Sequence, residues 1–270
     1  MQDVLKREFS NKMKTQHLLN VETVSMSFGG IQALNNVSMA VGKGEIRGVI
    51  GPNGSGKSTL LNLISGVYRP QRGSIFLSET DLVEVPPHKV AAHGVARTFQ
   101  NLELFSGMTV LENIVVGLHT KTHVGFPATL WNPSRLKSMD GKACEKAMET
   151  LAFVKMDMFA ERLVTELSIG QQRLVEIVRA IVSEPLVLLL DEPAAGLSLT
   201  SLDMIKDLIS SLPVKRNITV VIVEHVLNVV MDLSDKITVL HHGEVIADGS
   251  PDEIRANHDV IEAYLGTAEI

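Results

Sequence analysis

Gly51-Pro52-Asn53-Gly54-Ser55-Gly56-Lys57-Ser58, GPNGSGKS, is the stretch on which the fold turns. It matches the phosphate-binding loop G-x-x-x-x-G-K-[ST] at every fixed position. It also stands where that loop belongs, after a predicted strand (Glu45 to Ile50) and before a predicted helix (Ser58 to Ser65). A triphosphate is held by many donors around a tight concavity. Glycines at 51, 54 and 56 let the backbone curl so that successive N–H groups face inward, and the following helix adds the positive end of its dipole. In such a loop Lys57 reaches the β and γ phosphates as a point charge and the Ser58 hydroxyl ligates Mg2+. Pro52, Asn53, Ser55 and Thr59 complete the candidate nucleotide-binding stretch. A chance glycine-rich turn would match the pattern in a chain of this length on the order of 1% of the time.

Outward from the loop, the pattern on both sides is that of an α/β protein. LLNVETVSMSF and ALNNVSMAV, separated by Gly29-Gly30 within residues 18–41, predict an antiparallel pair, and Gly73 to Leu77 predicts another strand. Residues 110–118 and 135–153 carry helical spacing, with a long loop containing Gly125, Pro127 and Pro133 between them. A helix is predicted over 168–184, stopped by Pro185. Strand 186–190, a helix near 200–212, strand 218–223, a helix near 226–233 and a strand near 236–241 follow, and Gly243-Glu244 turns the last into a hairpin with VIADG. Short apolar runs alternating with helices are what a parallel sheet covered on both faces requires. The expected fold is α/β. It has a P-loop NTPase (RecA-like) core with a mostly parallel sheet (17–100 and 165–270), an N-terminal antiparallel β subdomain within that core, and a helical insert (101–164). Residues 1–16 are expected to be a loose leader.

Composition narrows the classes. Of 270 residues 45% are hydrophobic and 21% charged, enough apolar material for a core. A net charge of −6 argues against a nucleic-acid partner, whose phosphates need a basic surface. The single Cys144 can make neither an internal disulfide nor a cysteine-rich metal site, and no apolar run approaches the ~18 residues of a membrane span. The charged start MQDVLKREFSNKMK has no apolar stretch behind it and is not expected to be a secretory signal. A soluble, cytosolic chain is the expectation.

Two further motifs carry chemistry. Leu188-Leu189-Leu190-Asp191-Glu192 is an apolar strand ending in two carboxylates, and successive strand residues point to opposite sides. In a phosphate-loop ATPase Asp191 would hold Mg2+ through water and Glu192 would polarise the attacking water as general base. Ser168, followed by Gln171 at the start of a helix, reads as a capping box. A cap still leaves other N-terminal amides of the helix open to an anion.

LSIGQQ at 167–172 resembles the signature LSGGQ of ABC-type ATPases, and with it the chain resembles the nucleotide-binding subunit of an ABC transporter from about Leu18 to Gly266. The resemblance implies that Ser168, Gly170 and Gln171 contact the γ phosphate of ATP held by a second copy of the domain. It further implies that Phe28 stacks on adenine. Gln100, in ARTFQN, corresponds to the glutamine that senses metal and γ phosphate beside the membrane partner. His225, after ITVVIVE, corresponds to the switch histidine on the γ phosphate. The expected metal set is Ser58, Gln100 and Asp191, and the expected catalytic set Glu192, His225 and Gln100.

Ile169 stands in place of the usual second glycine, where its side chain could crowd the turn. Ser198 stands where aspartate is common, which bears on coupling across the dimer. VARTFQNLELFSGMTVLENIVVG, DEPAAGL, the loop with Gly125-Phe126-Pro127 and Trp131, and the ending DVIEAYLG resemble the ATPases of branched-chain (hydrophobic) amino acid importers.

That branch implies a peripheral protein on the cytoplasmic face of the cell membrane, working as a homodimer or with a paralogous ATPase. It would join integral-membrane permease subunits and, indirectly, a periplasmic solute-binding protein. Three other readings compete. A lipid or lipopolysaccharide exporter ATPase shares the motifs. A soluble ABC-type ATPase acting on nucleic acid or ribosomes is disfavoured by the charge and the single phosphate loop. An adenylate-type kinase has no reason to carry LSIGQQ ahead of LLLDE.

Overall fold

The computed structural model describes residues 17–118 and 141–265. The leader 1–16, the loop with Gly125, Phe126, Pro127, Trp131 and Pro133, and the first residues of the helix predicted from 135 lie outside them. In chain order the elements are β1 (Leu19–Phe28), β2 (Ile31–Val41), β3 (Ile46–Ile50), α1 (Lys57–Ile64), β4 (Arg72–Leu77), β5 (Thr80–Asp81), α2 (Pro87–Val90) and β6 (Val95–Arg97). After these come α3 (Val110–Val116), α4 (Gly141–Phe153), α5 (Ile169–Ile181), β7 (Val187–Asp191), α6 (Leu199–Arg216) and β8 (Thr219–Val223). The chain continues through α7 (Leu227–Leu233), β9 (Lys236–His241), β10 (Glu244–Gly249), α8 (Pro251–Ala256) and α9 (His258–Leu265).

Two sheets form. A four-stranded antiparallel sheet runs β2-β1-β4-β5, and a six-stranded sheet runs β10-β9-β3-β8-β7-β6. Within the larger sheet every pairing is parallel except β9 with β10. Its central strands β7 and β8 are apolar but for Asp191 and Thr219 at their ends, and they send alternate side chains to opposite faces. In β7, Leu188 and Leu190 join the cluster under α3, α4, α5 and α6, while Val187 and Leu189 join the one under α1 and the antiparallel sheet. Val220 and Ile222 of β8 divide from Val221 and Val223 in the same way. A third cluster packs α7, α8 and α9 against Ile50, Ile237 and Val239.

Gly48 shows how tightly one helix sits on the sheet. A β carbon there would lie 2.3 Å from Val230 Cγ1 and 2.7 Å from Ser234 Oγ, at the foot of α7. Overpacking of this kind costs about 1–3 kcal/mol. Gly48→Ala is therefore expected to lower stability by that amount in chemical denaturation, with α7 displaced.

Three local expectations need correction. The helix predicted over 168–184 ends at Ile181, because the residue before Pro185 disfavours the right-handed helical region, and Glu184 turns with a left-handed φ of +50°. The helix near 200–212 runs on to Arg216 with Pro213 inside its last turn, and Asn217 in the left-handed region closes it with bonds to Leu212 O and Pro213 O. Strands β5 and β6 and helices α2, α8 and α9 were not predicted as elements. β6 is only three residues long, yet it extends the sheet and leads directly to Gln100.

Candidate active site

Because β3, β6, β7 and β8 are parallel, their C-terminal ends open on one edge of the sheet, where ligands bind in open α/β folds. β3 delivers the phosphate loop, β7 ends at Asp191, β8 leads into Glu224 and His225, and β6 leads to Gln100. Topology alone thus gathers residues spread over 175 positions, from Gly51 to His225.

The loop has the backbone its glycines allow. Gly51 (φ +151°) has no room for a β carbon, which would meet Leu240 O at 2.0 Å. Gly56 (φ +103°) caps α1, and a β carbon there would meet Ala33 O of β2 at 2.5 Å. No side chain caps α1 and no acid occupies its first turn, so its N-terminal amides are uncommitted, as an anion site needs. Gly243 N donates to Ser55 O at 3.1 Å and ties the β9–β10 turn to the loop, whereas the buried Ser55 hydroxyl has no partner.

Lys57 Nζ lies inside the loop and donates to Gly51 O (2.7 Å) and Pro52 O (2.9 Å). Burial pulls its pKa down, and the nearby Glu192 and Asp191 pull it back up. Asp191 is buried and pairs with Arg97 at 2.9 Å. Glu192 holds a left-handed backbone (φ +50°), unusual for a side chain of this size and of the kind that clusters at functional sites. Its carboxylate accepts a bond from Gln100 Nε2 (2.9 Å), and the same oxygen lies 3.6 Å from His225 Nδ1. Lys57, Asp191, Glu192, Gln100 and His225 therefore converge, with the exposed Ser58 in the first turn of α1 beside Lys57.

Phe28 is placed at the end of β1, 40% exposed, with its ring edge-on to Tyr68 at 5.3 Å. Ser168, Gly170 and Gln171 are not gathered with the others. No hydrogen bond or ion pair among the described residues links them to the phosphate loop. Ser168 caps α5 in a full capping box, with Gln171 N to Ser168 Oγ at 3.3 Å and Ser168 N to Gln171 Oε1 at 2.9 Å. Ile169 does not crowd the turn; its side chain points outward, 61% exposed. Gly170 is the position without space, since a β carbon there would meet Ser201 Oγ at 2.3 Å. Ser198 caps α6, accepting from Ser201 N at 3.4 Å, a use for serine at the position where aspartate was expected.

Two groups escaped the sequence reading. Glu224 is wholly buried, and its carboxylate accepts from Ala194 N (2.6 Å) and His225 N (3.2 Å). It thereby fixes the segment after Glu192 to the segment that carries His225, and burial raises its pKa. The clue was an acid directly after an apolar strand, alongside a second strand ending in acids. The other is a buried pair on α5. Arg173 donates to Phe99 O (3.1 Å), Gln100 O (3.0 Å) and Glu176 (2.7 Å), while Glu176 accepts from Phe99 N (3.4 Å). Beside it a groove of about 640 Å3 opens between the Phe99–Phe105 segment, α3 and α5, lined by Phe99, Phe105, Glu103, Arg97 and Arg179.

Chemically, the edge offers amide donors and one cation for phosphate, and a carboxylate placed to accept a proton from water. Hard oxygen donors, Ser58 Oγ and the Asp191 carboxylate, stand at the same place. Among the described residues no group of three histidine, cysteine or acidic side chains is placed to hold a metal ion by itself. That donor set fits Mg2+, which is held by one or two protein oxygens, phosphates and water.

A family model described as ABC transporter matches residues 34–195, and one described as branched-chain amino acid ATP-binding cassette transporter matches residues 244–270. The high-affinity branched-chain amino acid transport ATP-binding protein BraF of Pseudomonas aeruginosa is 42% identical over 251 residues, spanning 93% of this chain and 98% of BraF. Among solved structures, the ADP conformation of an ATP-binding cassette of an ABC transporter superposes with a TM-score of 0.81 at 33% identity. That match covers 93% of this chain and 99% of the other. A dimeric cassette in a post-hydrolysis state, bound to ADP and Pi, gives a TM-score of 0.72 at 27% identity, covering 86% and 98%.

Proposed function

The chain belongs to the ABC transporter family, among the ATP-binding proteins of branched-chain amino acid transporters, and from that premise we propose that it hydrolyses ATP to drive import of branched-chain amino acids or closely related solutes. The observation that carries the catalytic part is the convergence of Lys57, Asp191, Glu192, Gln100 and His225 on the loop at Gly51–Ser58.

In this reading the amides from Gly54 to Thr59 and the Lys57 ammonium bind the phosphates, and Phe28 packs on adenine. Ser58, Asp191 and Gln100 would hold Mg2+, which when bound supplies charge neutralisation at the β and γ phosphates. Glu192 accepts the proton of the attacking water. Gln100 Nε2 fixes the oxygen that does so, and His225 stands on the same oxygen ready to donate to the γ phosphate. Glu224 holds the two segments in register by accepting their amides.

Ser168, Gly170 and Gln171 serve a nucleotide on a second copy or on a paralogue. The lack of any hydrogen bond or ion pair from them to this chain's own loop among the described residues, and the outward Ile169 and Leu199 (81% exposed), support a face that meets another cassette. The groove by Phe99 and Phe105, where the end of the first core segment meets the proposed insert 101–164 and α5, takes a segment of the membrane permease. A separate permease is needed, since no helix of the described residues is long and apolar enough to cross a membrane. The chain would then act at the cytoplasmic face.

Labelled leucine uptake in cells lacking this gene tests the proposal. Uptake should fall to background and return with the native chain but not with Glu192→Gln. Undiminished leucine, isoleucine and valine uptake in the deletion strain would overturn the solute assignment.

A further inference from the structure

Arg97 is the last residue of β6, three before Gln100, and both terminal nitrogens of its guanidinium are bonded. Nη2 pairs with Asp191 Oδ2 at 2.9 Å. Nη1 donates to Asn62 Oδ1 (2.7 Å) and Ser65 Oγ (3.0 Å), both at the far end of α1, whose near end carries Lys57 and Ser58. The planar group also lies 5.2 Å from the centre of the Phe99 ring. The side chains of Arg97 and Asp191 are 8% and 7% exposed, so the pair is shut away from water. A planar fork fixed by three acceptors holds its carboxylate in one orientation, which a lysine ammonium does not. Yet Arg97 and Phe99 also line the groove. One side chain is thus the common wall of the groove and of the carboxylate proposed to hold the metal.

We propose that Arg97 is a positioning residue for ATP hydrolysis: it occupies one oxygen of Asp191, leaves the other for the metal, and through the Phe99 ring ties that orientation to the state of the groove. The inference rests on the assignment of Asp191 to Mg2+ given above. It assigns no chemistry to Arg97 itself, which reaches the nucleotide only through Asp191 and α1. Partners that orient metal-holding groups commonly carry about 10- to 100-fold in metal affinity or activity.

The test is the affinity of the full chain for a non-hydrolysable ATP analogue, measured by calorimetry with excess Mg2+ and again in EDTA. For Arg97→Gln the gain in affinity due to Mg2+ should shrink about tenfold, while affinity in EDTA stays within about twofold of the native chain. A general folding defect would weaken both arms together and overturn the idea, as would an unchanged Mg2+ gain. Should Arg97→Gln not fold, Asn62→Ala unhooks the guanidinium from α1 and keeps the ion pair. It should reduce the Mg2+ gain about threefold, and no change there counts equally against the proposal.

Phe99→Leu removes the ring and should also reduce the gain about threefold; an unchanged value would sever the link to the groove. Asp191→Asn separates the two levels. If it leaves the Mg2+ gain intact, the metal assignment falls. If it abolishes the gain while Arg97→Gln does not alter it, only the role of Arg97 falls.

Discussion

Glu192→Gln is expected to bind ATP with native affinity and to lower turnover by about two to four orders of magnitude, the usual cost of losing a general base. The amide keeps the shape and the neighbours of the carboxylate but cannot accept the proton of water. One of its two terminal atoms becomes a donor, so the bond from Gln100 Nε2 at 2.9 Å survives only if the amide oxygen takes the position of Oε2. The left-handed backbone at residue 192 is untouched, because φ +50° is set by Glu192 N bonding Val223 O (2.8 Å) and by Glu224 gripping Ala194 N beyond it. With ATP and Mg2+ present the variant should therefore accumulate as a closed dimer, visible as a doubled mass in light scattering. The native chain should return to monomer as it hydrolyses. Native-like turnover by the variant would remove Glu192 from the catalytic role.

Lys57→Met should act one step earlier. The ammonium is largely enclosed by the loop and is already bonded to Gly51 O and Pro52 O, at 2.7 and 2.9 Å. Removing one partner of an enclosed, hydrogen-bonded charge contact costs about 2–5 kcal/mol, so the Kd for ATP should rise by roughly 1.5 to 3.5 orders of magnitude. Methionine keeps the length and apolar stem, and the fold should persist. A pH series gives an independent sign. Burial lowers the pKa of Lys57 from its ordinary 10.5. Its contribution to binding is present below that lowered value and is lost as pH rises through it, earlier than a free lysine would titrate. The native chain should show this alkaline loss of affinity and Lys57→Met should not.

What was legible in the sequence was what is local. A phosphate cradle is dictated by glycine positions within eight residues, so GPNGSGKS announced both the loop and the strand and helix around it. The inner strands were legible because β7 and β8 are buried on both faces and each carries a run of four apolar residues. Glu192 and His225 were legible as chain-order neighbours of those strands. Arg97 with Asp191, Glu224 with Ala194, and Arg173 with the Phe99–Gln100 backbone were not, because each joins residues 30 to 94 positions apart and no periodicity encodes such a pair. β6 was missed because three residues are too few to show alternation. The helix near 200–212 runs past Pro213 because a proline in the last turn, followed by a left-handed asparagine cap, does not break it. At Ser168 the modest structural meaning of the motif, a helix cap, is the one visible in a single chain.

The buried Arg173–Glu176 pair has a mechanical consequence. It grips three backbone atoms of Phe99 and Gln100 from a helix whose first turn displays Ser168, five residues earlier. Any tilt of that helix that keeps these bonds must drag the glutamine with it, so the part that greets a neighbouring molecule and the part that leans on Glu192 turn on a shared axle.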